Sequence, residues 1–170
     1  MSVLEFFLYI SLANWSMVTL LWIFIRKNNQ IYLINVYWGA GFVLLTAAAM
    51  SLEGLLEDSS FHIRQYLVNC LVILWGVKLS FFLYRKEKIG LKGPADLITE
   101  KYKRDLKSYR KRFLKIGLLQ VLAISPIISI NYLPGTNSLN FLDFLGFILF
   151  SLGFYIETKS NNDLLTFRVN

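Results

Sequence analysis

Three ionisable residues stand inside otherwise apolar stretches: Lys78 in Trp75-Gly76-Val77-Lys78-Leu79-Ser80, Asp143 near the start of its stretch, and Glu157 at the end of the same one. A charge placed inside a bilayer costs on the order of 3 kcal/mol or more, so such residues are candidates for a functional site. Lys78 either snorkels to lipid headgroups or turns into the protein to meet a phosphate or a carboxylate. Glu157 either anchors the interface or faces a cavity. Asp143 meets headgroups or caps the start of its helix. His62 is the only histidine. A lone imidazole with no Cys/His cluster elsewhere offers no metal-ligand set and no Ser-His-Asp arrangement. A glycine-rich phosphate loop is absent, and so is the strand–helix alternation of a Rossmann domain.

The elements that must position these residues are five apolar runs of about 20 residues, a length that crosses a hydrocarbon core roughly 30 Å thick. They lie at Val3–Ile25, Ile31–Leu52, Gln65–Tyr84, Phe113–Leu133 and Leu139–Glu157. Too little polar chain remains to cover five such helices in water. The expectation is an all-α polytopic membrane bundle forming one domain over residues 1–170, with any chemistry at a lipid boundary. The chain is 55% hydrophobic, shows no internal repeat, and has no Ser/Gly/Pro-rich linker. The first run is too long for a signal-peptide core and lacks a basic segment before it, so it reads as a retained helix.

Net charge is +7, and the excess is localised. Residues 85–115 carry twelve Lys/Arg against Glu87, Asp96, Glu100 and Asp105. The connections alternate in sign: Arg26 and Lys27 after the first run, Glu53, Glu57 and Asp58 after the second, the basic stretch after the third, and Lys159 and Arg168 after the fifth. The fourth, Pro134-Gly135-Thr136-Asn137-Ser138, is uncharged and suits a tight turn. The positive-inside rule then places the N-terminus outside and the C-terminus in the cytoplasm, and the expected location is a bacterial inner membrane. A basic stretch between two spans points to a membrane surface and away from nucleic acid.

Within the cytoplasmic segment 85–112, Pro94 suits a first helical position, and Ile98, Tyr102, Leu106, Tyr109 and Phe113 recur at spacings of three and four. The expected element is a basic amphipathic helix in the headgroup layer, its cations also able to draw an anionic cytosolic ligand. Cys70, the single cysteine, is expected as a small buried apolar residue. Gly146 and Gly153 are expected in ordinary packing, with helix contact to a partner as the alternative.

Several stretches, in order, resemble the membrane reductases of the steroid 5-alpha-reductase superfamily, in particular its bacterial DUF1295 branch. The family pattern Asp-x-x-Trp-Gly is similar to Asn35-Val36-Tyr37-Trp38-Gly39, and Trp-Gly-x-Arg-Leu-Ser to Trp75-Gly76-Val77-Lys78-Leu79-Ser80. A Gln followed by a Pro corresponds to Gln120 and Pro126, and Leu-Asp-x-x-Gly to Leu142-Asp143-Phe144-Leu145-Gly146. A final Glu-x-x-x-Asp-x-Gln-x-x-x-Phe stretch aligns with Glu157 through Phe167. The resemblance runs from about Asn29 to the end. Two acids of the pattern are amides here, Asn35 and Asn161; its Gln is Asp163 and its Arg is Lys78.

The resemblance implies a bundle open to the bilayer that takes NADPH from the cytosol and reduces a polarised carbon–carbon double bond in a steroid or other lipid enone. By position, Lys78, Glu157, Asn161 and Arg168 would lie along the cofactor, Arg168 suiting a phosphate through its planar fork of donors. Tyr37 and Tyr84 are candidates for polarising the enone carbonyl by chemistry alone. The resemblance also implies a further C-terminal segment with Asn-x-Gly and Ser-Arg-His-Pro-Asn-Tyr motifs that completes the cofactor site. These 170 residues do not contain those motifs, so an incomplete site is expected. Two alternatives stand beside this one. One is a relative of the isoprenylcysteine or phospholipid membrane methyltransferases, which would use S-adenosylmethionine. The other is a non-catalytic membrane protein that binds lipid, a partner polypeptide or further copies of itself.

Overall fold

The computed structural model describes residues 2–28, 30, 32–56, 62–90, 106–133 and 138–169, without the side chains of 55, 56, 106–110, 168 and 169. Five helices account for nearly all of it: α1 (Val3–Asn28), α2 (Leu33–Leu56), α3 (Ile63–Lys88), α4 (Leu106–Tyr132) and α5 (Phe141–Val169). All five are long and apolar enough to cross a membrane, and no strand occurs among the described residues. The expected all-α multi-pass bundle is what forms.

Each helix outruns its apolar stretch. Backbone hydrogen bonding propagates through helix-compatible polar residues, so the hydrophobic boundary does not stop it. α5 shows this most. Its apolar run ends at Glu157, yet the helix continues to Val169; its 29 residues span about 43 Å. α4 begins at Leu106, so the end of the basic segment is continuous with the fourth span. The first part of the proposed amphipathic helix (94–105), the turn at 134–137, and Glu57 and Asp58 lie outside the described residues.

Local sequence sets the helix ends. The Ser2 hydroxyl accepts from the Glu5 N–H while the Glu5 carboxylate accepts from the Ser2 N–H, a capping box at α1. Asn140 and Asp143 make the same reciprocal pair at α5. α3 stops at Gly90, whose φ of +69° is a conformation that glycine adopts without strain. α4 passes through Pro126, which cannot donate to the Leu122 carbonyl; the Ser125 hydroxyl donates to that oxygen instead at 2.8 Å.

Contacts fix the helix order. α2 packs antiparallel on α3, Gly39 against Gly76 and Ser80, at a crossing so close that a Cβ on Gly39 would stand 2.6 Å from the Gly76 carbonyl oxygen. The Trp38 and Trp75 rings both pack edge-on to Phe42, at 5.5 and 5.4 Å. α1 packs on α4 through Asn14, whose amide donates to the Gly117 carbonyl at 2.8 Å. α2 and α4 meet where Gln120 donates to the Trp38 carbonyl at 3.3 Å and lies against Gly41. One apolar core (Phe6, Ile10, Phe42, Leu45, Ala49, Ile124, Ile128) and a second (Val18, Ile25, Ile34, Tyr37, Phe113) fill the space among α1, α2 and α4.

A buried polar network joins α2, α3 and α4 near the end opposite the basic residues. Gln65 donates to Glu53 at 2.7 Å and to the Asn131 carbonyl at 3.1 Å, and Asn69 and Asn131 exchange side-chain hydrogen bonds of 2.7 and 3.0 Å. Among the described residues α5 packs on α3 alone, and its one buried side chain is Leu165. Cys70 is exposed on the outer surface of α3, not buried as expected, because the inward face of that helix is taken by Gln65, Asn69 and Gly76.

Candidate functional site

The intramembrane charges converge on the seam between α3 and α5. Arg64 faces Asp143, and Lys78 faces Glu157. Both pairs are 79 residues apart (143 − 64 and 157 − 78), so the two helices run parallel in one register. The Arg64 guanidinium holds Asp143 bidentately, both N–H···O distances 2.8 Å, and Asp143 also caps α5. This pair clasps the starting ends of both helices.

About four helical turns further along (78 − 64 = 14 residues), the Lys78 ammonium lies 3.1 Å from a Glu157 carboxylate oxygen and 3.2 Å from the Thr158 hydroxyl, and 4.3 Å from the centre of the Phe154 ring. The same Glu157 oxygen accepts the Trp75 indole N–H at 3.0 Å, and the other oxygen accepts the Asn161 amide at 3.4 Å. The carboxylate is therefore held from three sides. Helical spacing explains the gathering: 75, 78, 82 and 85 share one face of α3, and 154, 157, 158, 161 and 165 share the facing side of α5. The ion pair is sheltered but not sealed, with side-chain exposures of 18% and 33%. Breaking a fully buried pair costs about 3–5 kcal/mol, and this one is worth less because solvent or headgroups reach it.

Toward the basic end of the helices the seam opens into a groove of about 100 Å³, lined by Lys78, Arg85, Thr158, Asn161 and Asn162 with Phe82 and Leu165. Two cations and two amides are a donor-rich set that suits the oxygens of a phosphate, while the Thr158 hydroxyl donates to the Phe154 carbonyl of its own helix. The groove is too small for a whole dinucleotide.

Of the candidates named from sequence, Lys78, Glu157 and Asn161 come together here. The Arg168 side chain lies outside the described residues. Tyr37 is buried in the α1–α2–α4 core, its hydroxyl without a hydrogen-bond partner, and lines no part of this groove. Tyr84 lies at the edge of α3, 39% exposed, with the Lys88 ammonium 5.5 Å from its ring centre. Asn35, at an acidic position of the pattern, accepts from Arg112 at 3.1 Å and so links α2 to α4. Among the described residues no three His, Cys, Asp or Glu side chains gather as a metal site.

Trp75, Arg85, Thr158 and Asn162 were not singled out from sequence. The signal for the first two was available: both share the helical face of Lys78. The two Trp-Gly motifs also gain a physical meaning. Their glycines, 39 and 76, are the points where α2 and α3 touch, and Trp75 holds the carboxylate of the site.

No curated protein and no solved structure matches the chain. The family model described as Protein of unknown function (DUF1295) matches residues 21–170, which takes in every helix from the last turns of α1 onward and both partners of the Lys78–Glu157 pair. The chain belongs to the DUF1295 family.

Proposed function

We propose that this protein is an NADPH-dependent membrane reductase of carbon–carbon double bonds in steroid or other lipid enones, and that the α3–α5 groove takes a phosphate end of the cofactor. The reaction class rests on the resemblance to the steroid 5-alpha-reductase superfamily. The observation that carries the site is the convergence of Lys78, Arg85, Thr158, Asn161 and Asn162 on one groove. When bound, NADPH supplies the hydride that adds to the β carbon of an enone. Lys78 and Arg85 would neutralise phosphate oxygens, and the Asn161 and Asn162 amides would orient them. Trp75 and Asn161 keep Glu157 hydrogen-bonded if Lys78 turns toward a phosphate. The groove holds only part of a dinucleotide, so the nicotinamide end needs a surface beyond it. In this proposal the basic end faces the cytosol, where NADPH is found.

The test is titration of purified protein in detergent with NADPH, and with S-adenosylmethionine as the competing cofactor. The expected result is micromolar NADPH binding that weakens about tenfold or more in Arg85→Gln, the loss of one charge-assisted contact to phosphate. Absence of NADPH binding up to millimolar concentration refutes the reading for this chain. Binding of S-adenosylmethionine would move it to the methyltransferases. A second reading, a non-catalytic protein that binds a partner, is favoured by one observation: α5 leaves all its described side chains but Leu165 at least partly uncovered. That reading predicts binding of neither cofactor.

A further inference from the structure

A second groove lies on the other side of the bundle, between α1 and α4. Its volume is about 190 Å³, and its walls are Trp15, Val18, Thr19 and Trp22 from α1 with Phe113 and Leu114 from α4. The lining is almost wholly apolar, and it opens on the outer surface of the bundle, where lipid lies. The α1 residues recur at 15, 18, 19 and 22, so they form one stripe along the helix.

Both walls end in a cation at the same end of the groove. On α1 the stripe continues four residues beyond Trp22 to Arg26, whose guanidinium carbon sits 5.6 Å from the centre of the Trp22 ring. On α4 the position three residues before Leu114 is Lys111, which is exposed. Between the apolar floor and these cations stands the Trp22 ring, which lines the groove and lies under Arg26. Reading along the groove, the order is apolar wall, tryptophan ring, then positive charge. Successive levels are roughly one helical turn, about 5–6 Å, apart.

That order matches the layers of a glycerophospholipid: acyl chain, glycerol region, phosphate. Tryptophan is enriched at the headgroup level of a bilayer, where its amphipathic ring sits between hydrocarbon and water. We propose that the α1–α4 groove is a binding site for an anionic glycerophospholipid. One acyl chain lies against Trp15, Val18 and Leu114, the glycerol region lies against the Trp22 ring, and the phosphate sits between Arg26 and Lys111. The site is separate from the α3–α5 groove and does not depend on what that groove binds.

Native mass spectrometry of the full-length protein released from detergent tests this, with phosphatidylglycerol and phosphatidylcholine of identical chains as the probes. The expected result is retention of one phosphatidylglycerol in preference to phosphatidylcholine. Arg26→Gln with Lys111→Gln should abolish the preference for the anionic lipid, each cation near a charged lipid being worth about fivefold. Leu114→Trp fills the groove and should remove the bound lipid. Equal retention of the two lipids by the unmodified protein overturns the proposal, since the contacts are then ordinary annular ones. So does unchanged retention in Leu114→Trp. The comparison of lipids in the unmodified protein decides the matter even if a variant fails to fold.

Discussion

Replacing Gly39 by alanine tests whether the Trp-Gly motifs are helix-crossing points. The new Cβ would stand 2.6 Å from the Gly76 carbonyl oxygen, 2.6 Å from the Ser80 hydroxyl and 2.8 Å from the Ser80 backbone nitrogen. The hydroxyl could turn away only by giving up its 2.8 Å hydrogen bond to the Gly76 carbonyl, and the backbone atoms cannot move alone. Ordinary contact begins near 3.4 Å, so α2 and α3 must part locally by roughly 0.8 Å (3.4 − 2.6), which loosens Phe42 between Trp38 and Trp75. Overpacking of this kind costs about 1–3 kcal/mol, offset by up to about 1 kcal/mol from the better helix propensity of alanine. The net loss is about 1–2 kcal/mol, which for a chain of this size lowers Tm by roughly 2–8 °C. Thermal unfolding in detergent, followed by circular dichroism, reads this. Three other glycines calibrate it. Gly117→Ala meets only the Trp15 ring, at 3.1–3.4 Å, and that ring can give; Gly146→Ala and Gly153→Ala meet nothing within 4 Å. The expected order of stability is Gly146→Ala and Gly153→Ala above Gly117→Ala, and Gly117→Ala above Gly39→Ala. If Gly39→Ala melts with Gly146→Ala, the α2–α3 contact is not as described and the reasoning fails.

Lys78→Ala and Glu157→Gln should each lower Tm, and the double variant should lose less than the two losses added. A double-mutant cycle should give a coupling of about 1 kcal/mol, the scale for a partly exposed pair; a coupling near zero would mean the two residues do not meet. Asn69→Leu strands Asn131 in the core and should cost about 1–3 kcal/mol by thermal or denaturant melts, whereas Gln120→Leu should cost less, since Gln120 makes only long contacts (3.3–3.4 Å) and its own carbonyl oxygen already lacks a partner. Equal losses in those two variants would count against the buried network. Exchanging the clasp charges in Arg64→Asp with Asp143→Arg should recover part of the Tm lost in either single variant, and no recovery would argue that the ends of α3 and α5 are not paired.

Five apolar runs were legible because length and composition alone decide whether a helix can cross hydrocarbon, and no tertiary contact is needed to see it. Their ends were less legible. Glu157 marks where hydrophobicity stops in α5, but the helix continues for 12 more residues (169 − 157), since the backbone ladder does not follow hydrophobicity. Lys78 and Glu157 were legible as site candidates because each is a costly residue for a membrane span. Which reading of Lys78 holds was not legible: headgroup snorkelling and an internal carboxylate fit the same sequence.

Cys70 and Tyr37 show the opposite limit. Nothing in the local sequence says that Cys70 faces outward while Asn69 beside it is buried, because a span apolar on all sides carries little periodic signal. Tyr37 has chemistry suited to polarising a carbonyl, but chemistry does not place it, and its hydroxyl ends in the α1–α2–α4 core.

The sequence by itself determined that this is an all-helical membrane chain, where its charges must be accounted for, and that it belongs to the DUF1295 family. The tertiary structure decided which charges meet. Lys78 and Glu157 are 79 residues apart, and only the parallel packing of α3 and α5 brings the ammonium within 3.1 Å of the carboxylate. It also decided that Gly39 and Gly76 serve the α2–α3 crossing, and that Trp22 of α1 and Leu114 of α4 line one groove, with Arg26 over the Trp22 ring. The physical reason is the same in each case. Helix formation depends on neighbours within about four residues, while helix pairing depends on shape and charge matched between segments far apart in the chain.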